Sequence, residues 1–190
     1  MARPKRQQEG PSALERMEEA FWVMLEEGPY HAITVTALAR RAGVNHNTIY
    51  YYFSGIDDMA RQVFDRNTPD NVCEIFGGVV WKGVESALPY LARPEYVKRW
   101  RRACLFGRGD SAYLNQIFRE MLTRNWYTIL DIREEELTQE ERVELTFVFN
   151  GLIAVLQVAF QRGDPMLIPD MMARPMGQSV LATLRGLKKE

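Results

Sequence analysis

The sequence predicts an all-α protein with a three-helix head followed by a larger helical body. Apolar residues recur at three- and four-residue steps through most of the 190 residues, which is the period of an α-helix. Capping boxes at Ser12–Glu15 and Thr138–Glu141 mark two helix starts. Turn-forming residues cluster at 67–71 and indicate a boundary. We therefore place the head at residues 12–66 and the body at residues 67–190.

Length and composition are ordinary for a globular chain, at 46% hydrophobic and 26% charged residues with a net charge of −1. No apolar run approaches the roughly 18–20 residues that span a bilayer, and no signal-peptide core follows the basic amino terminus. Cys73 and Cys104 lack metal-binding spacing and are expected to be reduced thiols. These features predict a cytoplasmic protein with no membrane partner.

The first predicted helix runs from the Ser12 capping box to Gly28-Pro29, a pair that ends helices. Its apolar residues follow helical spacing, and its glutamates lie mostly on the other side. We expect it to brace two shorter helices by burying their inward faces. Its apolar residues are Leu14, Met17, Phe21, Met24 and Leu25.

Two shorter helices joined by a tight turn are predicted for residues 33–53. Thr34 is the expected N-cap of the first, Gly43 the left-handed residue that ends it, and Asn45 the cap of the second. Such pairs also occur in proteins that never contact DNA. However, three adjacent tyrosines cannot all face a core, and the second helix carries no carboxylate. This pattern favours a helix-turn-helix unit that enters the DNA major groove.

This stretch resembles the DNA-binding module of TetR-family transcriptional regulators. The matching residues are Thr34-Val35, Leu38-Ala39, Ala42-Gly43-Val44, Asn45, Thr48-Ile49-Tyr50 and Tyr52-Phe53, followed by Ser54-Gly55-Ile56-Asp57-Asp58-Met59. The chain departs from the family pattern at Asn47, where a small residue is frequent, and at Ile56, where a lysine commonly contacts phosphate. The resemblance implies a homodimeric regulator in which the next helix connects the head to the body and shifts when an effector binds.

The residues assigned to DNA fall into two groups. The predicted base contacts are His46, Asn47, Thr48 and Tyr51. The predicted phosphate contacts are Thr34, Thr36, Tyr50 and Tyr52, with Asn45 and the backbone amide of Gly55 on the same surface. Asn47 could make a bidentate contact to adenine. Arg3, Lys5 and Arg6 form a basic arm, which either contacts DNA or is simply solvated.

The body is predicted to begin with a loop and a short helix near Trp81–Leu91, because glycines and a proline interrupt residues 72–92. A helix then starts at Pro94 and ends near Phe106. Another helix, capped by Asp110 or Ser111, runs through Leu130. Earlier in the chain, Ser54 and Asp57 are expected to start the helix that connects the head to the body, in a box-like arrangement. A long helix follows the Thr138 capping box, and one final helix reaches the charged tail.

The long helix is apolar almost all round from residue 145 to residue 160, so it must be covered on more than one side. Either it is the central helix of a monomer, or it pairs with a second copy of the chain. We favour a four-helix dimer interface, because a protein that binds two-fold symmetric DNA needs two DNA-binding heads. The assigned interface residues are Phe147, Gly151, Val155, Ala159, Val180 and Leu184.

Aromatic residues in the middle of the body could line a pocket for an apolar or aromatic effector, although such stripes more often form plain core. The assigned pocket residues are Trp81, Trp100, Phe106, Phe118, Met121 and Trp126. The two histidines, His31 and His46, both lie in the head, so no catalytic triad can form elsewhere. We expect no enzyme activity, no cofactor and no metal site.

The predicted function is that of a repressor that binds a palindromic operator as a homodimer and is released by a small-molecule effector. Its predicted partners are double-stranded DNA and a second copy of the chain. The alternative is a TetR-like co-regulator controlled by a protein partner, which a closed core between the middle helices would favour.

Overall fold

The computed structural model describes residues 10–164 and 166–187, and the chain divides into two compact units between Asp65 and Arg66. Within the described residues the backbone forms eleven α-helices and no strand, which confirms the all-α fold class. The basic arm of Arg3, Lys5 and Arg6 lies outside the described residues.

The head is built from three helices and the start of a fourth. They are α1 (Ala13–Glu27), α2 (Val35–Ala42), α3 (His46–Tyr52) and α4 (Ile56–Asn67), with a 3-10 turn at Tyr30–Ala32. The α1 capping box forms as predicted: the Ser12 N–H donates to Glu15 at 2.6 Å, and the Glu15 N–H donates to the Ser12 hydroxyl at 3.2 Å. The largest fully buried side chains of the head are Met17, Phe21, Leu25, Leu38, Ile49, Met59 and Phe64.

The body contains the remaining helices. They are α5 (Val72–Lys82), α6 (Leu88–Leu91), α7 (Pro94–Phe106), α8 (Ala112–Leu130), α9 (Gln139–Gln161), α10 (Leu167–Ala173) and α11 (Pro175–Gly186), with 3-10 turns at Val84–Ala87 and Glu134–Glu136. Ser111 caps α8 by accepting the Leu114 N–H at 3.3 Å. The Thr138 capping box precedes α9, with the Thr138 N–H donating to Glu141 at 2.7 Å.

The loop predicted at the start of the body is wrong, because residues 72–82 form the helix α5. Two glycines lower helix stability by about 1 kcal/mol each relative to alanine, which is why the sequence favoured a loop. Close packing favours glycine at one of these positions: a Cβ on Gly78 would lie 2.9 Å from the Ser86 hydroxyl oxygen, so a larger residue would require Ser86 to move. The burial of Val72, Ile75 and Val80 then holds the helix in place.

The single final helix predicted from sequence is also wrong, because it is broken into α10 and α11 at Arg174. Pro175 has no backbone N–H, so it starts a new helix more readily than it continues an old one. A Cβ on Gly177 would lie 2.3 Å from the Met172 Cα, so the two helices meet closely there. Gln178 closes the corner by donating to the Met172 carbonyl at 2.8 Å.

The expectation that no segment is long and apolar enough to cross a membrane is contradicted by α9, the longest helix. By length and composition alone, Gln139–Ala159 meets that criterion. Helices that pack against other helices pass the same test, so it is weak evidence for a membrane. The helix nevertheless exposes apolar side chains, with Phe147 at 76%, Val143 at 63% and Val158 at 45% of full exposure.

Candidate DNA-binding site

The turn between α2 and α3 is held by backbone and cap hydrogen bonds at three positions. The Thr34 hydroxyl accepts the Ala37 N–H at 3.2 Å and so caps α2. Gly43 ends that helix with a φ of 63°, a left-handed conformation that glycine adopts without strain. The Asn45 side chain accepts the Asn47 N–H at 2.9 Å and caps α3. These interactions set the direction in which α3 leaves the turn.

The two faces of α3 differ sharply in burial. Ile49 is fully buried and the following Phe53 is 2% exposed, so the inward side anchors the helix to the head core. The outward side chains are His46, Asn47, Thr48, Tyr50, Tyr51 and Tyr52, of which Thr48 is half-buried and the others are exposed. Tyr51 is 81% exposed, which is far more than packing within the head requires. Every predicted base contact is therefore on one helix of the head, at or near its surface.

Ring contacts give the outward face of α3 a defined shape. The His46 and Tyr50 rings meet edge to face with centroids 5.2 Å apart. Tyr51 and Tyr52 make a similar contact at 4.9 Å. Aromatic pairs of this geometry are favourable and restrict side-chain rotation. These contacts favour one arrangement of the rings on the outward face.

Three long-range interactions brace the helix-turn-helix from other parts of the head. The Arg41 guanidinium donates to both carboxylate oxygens of Glu27, at 2.5 and 2.7 Å. These hydrogen bonds lower the pKa of Glu27 and raise that of Arg41. Arg16 donates to the Ala42 carbonyl at 3.2 Å, across from the end of α2. Arg41 is thus paired within the head, and its exposed neighbour Arg40 lies on α2 outside that pair.

The start of α4 differs in one detail from the predicted cap. The Ser54 N–H donates to Asp58 at 2.8 Å, so Asp58 closes the first turn in place of Asp57. Asp57 instead accepts a hydrogen bond of 2.5 Å from the Tyr30 hydroxyl. That bond ties the 3-10 turn after α1 to α4, a contact that the sequence pattern did not reveal. The space beside Gly55 is open, so its backbone remains approachable at the helix start.

Comparison with known proteins identifies this arrangement. Residues 19–63 match the family model described as bacterial regulatory proteins of the tetR family. The matched segment groups the helix-turn-helix of this chain with that of TetR-family transcriptional regulators. Members of this family regulate transcription by binding DNA and are generally not enzymes. A search of curated proteins gives no match.

One solved structure has the same fold as the regulator. It is the fatty acid degradation regulator FadR from Bacillus halodurans, with 16% identity and a TM-score of 0.50. The alignment covers 96% of this chain and 97% of that one. The similarity therefore extends beyond the head to the body. At this level of identity it supports the fold and not a shared ligand.

The residues assigned to an effector pocket form packed core in this regulator, apart from Trp81 at 43% exposure. The exposure of the other five, Trp100, Phe106, Phe118, Met121 and Trp126, is at most 6%. Phe76, which the sequence placed in a loop, stacks on Trp126 with ring centroids 5.4 Å apart. The ring of Phe76 also lies against that of Trp100, with centroids 5.1 Å apart.

The clefts described on the body lie along α8 and α9 and are lined by other residues. One of them, with a volume of about 270 Å³, is lined by both polar and apolar residues. Arg119 donates to Asn150 across it at 2.6 Å. At its other end Glu134 pairs with Arg142 at 3.3 Å. Burial, followed by the nearby Glu134 carboxylate, raises the pKa of Tyr127 on the cleft wall.

Among the described residues, no cluster of His, Cys, Asp or Glu could hold a metal ion.

The residues assigned to a dimer interface fall into three groups. Phe147 and Gly151 are exposed on α9, and Val155 and Val180 are half-buried. Ala159 and Leu184 are completely buried inside their own chain. Their side chains pack against the body core, so they do not belong to the surface that a second copy can reach. Val143 and Val158 are exposed on the same helix and were not assigned from the sequence.

Proposed function

We propose that this regulator binds a two-fold symmetric operator as a homodimer and represses transcription in the cytoplasm, without enzyme activity. The observation that carries the proposal is the outward face of α3, where hydroxyl, amide and imidazole groups are exposed beside a rigid turn. Those groups hydrogen-bond to base edges and phosphates in the major groove. The net charge of −1 gives little general attraction to DNA, so affinity depends on paired heads.

Selection of bound duplexes from a random library by the purified full chain tests this proposal. We expect recovery of sequences with two inverted half-sites about one helical turn apart. Recovery of no preferred sequence would exclude specific DNA binding. Recovery of an isolated half-site would exclude the two-fold mode of binding. Repression is then measured with a reporter gene placed behind the selected site.

Two substitutions separate the proposed base contacts from the proposed phosphate contacts. Asn47→Ala should reduce discrimination between operators that differ at one base pair. Thr36→Ala should weaken binding to specific and random DNA alike. Thr36 is a cleaner phosphate probe than Thr34, whose hydroxyl also caps α2. Equal losses on specific and random DNA for Asn47→Ala would contradict its assignment to a base.

The exposed apolar side of α9 is the surface we propose for the second copy of the chain. Phe147, Val143 and Gly151 line a groove of about 560 Å³ on that helix. Contiguous apolar surface of this kind is uncommon on monomers and marks interaction sites. Light scattering should give twice the 22.0 kDa chain mass in detergent-free buffer. A monomer would contradict the proposal, and recovery with the membrane fraction would indicate a bilayer as the covering partner.

Release by a small apolar or aromatic effector remains our proposal for regulation, with the six assigned residues around Trp126 as its contacts. A ligand would have to displace packed side chains there, since Trp126 is 6% exposed and Phe118 is fully buried. This closed packing supports the alternative, a co-regulator controlled by a protein partner. A true effector should lower operator affinity and raise the melting temperature of the full chain. If no apolar or aromatic compound changes either quantity, the alternative is favoured.

A further inference from the structure

The chemistry of α3 defines which base pairs the regulator can read. We infer that each half-site is recognised through A·T pairs, with Asn47 on adenine and Tyr51 and Thr48 on thymine methyl groups, and without a bidentate contact to guanine. The inference rests on the proposed function, because it describes the operator of the same DNA-binding face. It adds the class of sequence that the operator contains.

The first step is that α3 contains no arginine or lysine side chain. Guanine is most often read by arginine or lysine, which donates two hydrogen bonds to its O6 and N7. Helix α3 has the sequence His-Asn-Thr-Ile-Tyr-Tyr-Tyr, with neither residue. The nearest arginines in sequence lie on α2, and Arg41 is already engaged by both oxygens of Glu27. Arg40 is exposed on α2 and is therefore not part of the helix assigned to base contacts.

The second step concerns the hydrogen-bonding groups of the Asn47 side chain. Its backbone N–H is used by the Asn45 cap, while its exposed side-chain amide has no hydrogen-bond partner within the described residues. A carboxamide presents one donor group and one acceptor, on the nitrogen and the oxygen that are bonded to the same carbon. Adenine offers the complementary pair in the major groove, an acceptor at N7 and a donor at N6. Guanine offers two acceptors and cannot satisfy the amide oxygen.

The third step is the apolar part of the same surface. Tyr51 is 81% exposed, and Tyr52 packs edge to face against its ring at 4.9 Å. A largely exposed aromatic ring gains by covering hydrocarbon on its ligand. Thr48 adds a methyl group one turn earlier on the helix. Thymine is the base that presents a methyl group in the major groove, and apolar side chains read it there.

His46 is the side chain that competes with this assignment. Its imidazole and the tyrosine hydroxyls can each donate one hydrogen bond to guanine N7. His46 stands at the first position of α3, with its ring held against Tyr50 at 5.2 Å. A single hydrogen bond discriminates less than a bidentate pair, so a guanine contact from His46 would be secondary. The experiment below measures it directly.

Base analogues placed in the selected operator test the inference one atom at a time. Replacing adenine by 7-deazaadenine at the critical position removes N7 and should weaken binding about tenfold or more. Replacing thymine by uracil removes the methyl group and should weaken binding severalfold. Replacing guanine by 7-deazaguanine should change affinity less than twofold at every position. A larger loss with 7-deazaguanine than with 7-deazaadenine would overturn the inference.

Matched variants connect these effects to named side chains. Asn47→Ala should abolish the penalty of 7-deazaadenine, and Asn47→Arg should change the preferred base at that position from adenine to guanine. His31→Ala, at an exposed position of the 3-10 turn after α1 that is not assigned to DNA, should leave both preferences unchanged. Melting temperatures of the variants show that each remains folded. If the wild type selects no DNA, the proposed function fails; if it selects guanine-dependent sites, only the inference fails.

Discussion

The head and the body differ in the large side chains that they leave exposed. In the described part of the head, every exposed large hydrophobic residue is a tyrosine of α3: Tyr50, Tyr51 and Tyr52. In the body the exposed set includes Val143, Phe147 and Val158 of α9, which carry no polar group. Tyrosine combines an aromatic ring with a hydroxyl, so it suits a wet, polar ligand such as DNA. Valine and phenylalanine suit the apolar surface of another protein.

This contrast agrees with the two kinds of recognition that we propose, of DNA by the head and of a second chain by the body. The head presents its ligand-facing groups on a short helix held by caps and by the Glu27–Arg41 pair. The body stacks Phe76 on the buried Trp126, and it exposes apolar side chains on one side of a long helix. Substitutions on the two surfaces should therefore change different measurements.

The largest effect is expected from Phe147→Asp, which places a charge on the exposed apolar side of α9. If this side holds the second copy, the variant should become monomeric and lose about 10²–10⁴-fold in operator affinity, because paired binding is lost. Light scattering and DNA titration measure the two changes. Leu88→Asp, at a 37% exposed position of α6, is the matched control. A dimeric Phe147→Asp with normal affinity would place the interface elsewhere.

A second comparison sets a buried body residue against an exposed head residue. Phe118→Ala leaves a cavity at a fully buried position and should lower the free energy of unfolding by about 3–5 kcal/mol. Tyr51→Ala should change it by less than about 0.5 kcal/mol and weaken DNA binding. Chemical denaturation measures the free energy of unfolding of each variant, and DNA titration measures its affinity for DNA. A strongly destabilised Tyr51→Ala would mean that the tyrosine supports the fold.

Two glycines in open space should respond to alanine with opposite signs. Gly43 has a φ of 63°, so Gly43→Ala should cost about 1–2 kcal/mol of stability through backbone strain alone. Gly151 lies inside α9, so Gly151→Ala should stabilise the isolated helix by about 1 kcal/mol. If two copies of α9 approach closely at Gly151, the same change should weaken the dimer. An unaltered dimer would show that the helices do not meet there.

The smallest effect is expected from the ion pair at the head surface. The Arg41 hydrogen bonds lower the pKa of Glu27 below its ordinary value, so this carboxylate stabilises the folded head above about pH 4.5. That contribution is lost as the pH falls through the lowered pKa. Glu27→Gln should therefore be slightly less stable than the wild type at neutral pH, with a difference that shrinks in acid. In an Arg41→Gln background the difference should be absent at every pH.

Local signals in the sequence were sufficient for most of the head. Ser12, Thr34 and Asn45 cap their helices as predicted, and Gly43 adopts the predicted left-handed conformation. Each of these features depends on residues within four positions of one another, so composition and spacing reveal it. The pairing of Tyr30 with Asp57 spans 27 positions and has no local pattern.

The body shows where local reasoning fails. Gly77 and Gly78 predicted a loop, yet the segment is helical because glycine allows α5 to pack closely on its neighbours. Two of the aromatic residues assigned to a pocket, Trp100 and Trp126, lie against Phe76, which was not among the assigned residues. Ala159 and Leu184 follow the apolar pattern of an interface but are buried in their own chain. An apolar period shows that a face is covered and not which chain covers it.

The sequence by itself therefore determined the helical class, the caps and turn of the head, and the polar character of α3. These follow from backbone sterics and from hydrogen bonds between close neighbours along the chain. Only the tertiary structure decided that Arg41 is occupied by Glu27, that the aromatic core of the body is closed, and that Phe147 is left exposed. Those outcomes depend on which distant surfaces come into contact, and that is fixed by the packing of whole helices.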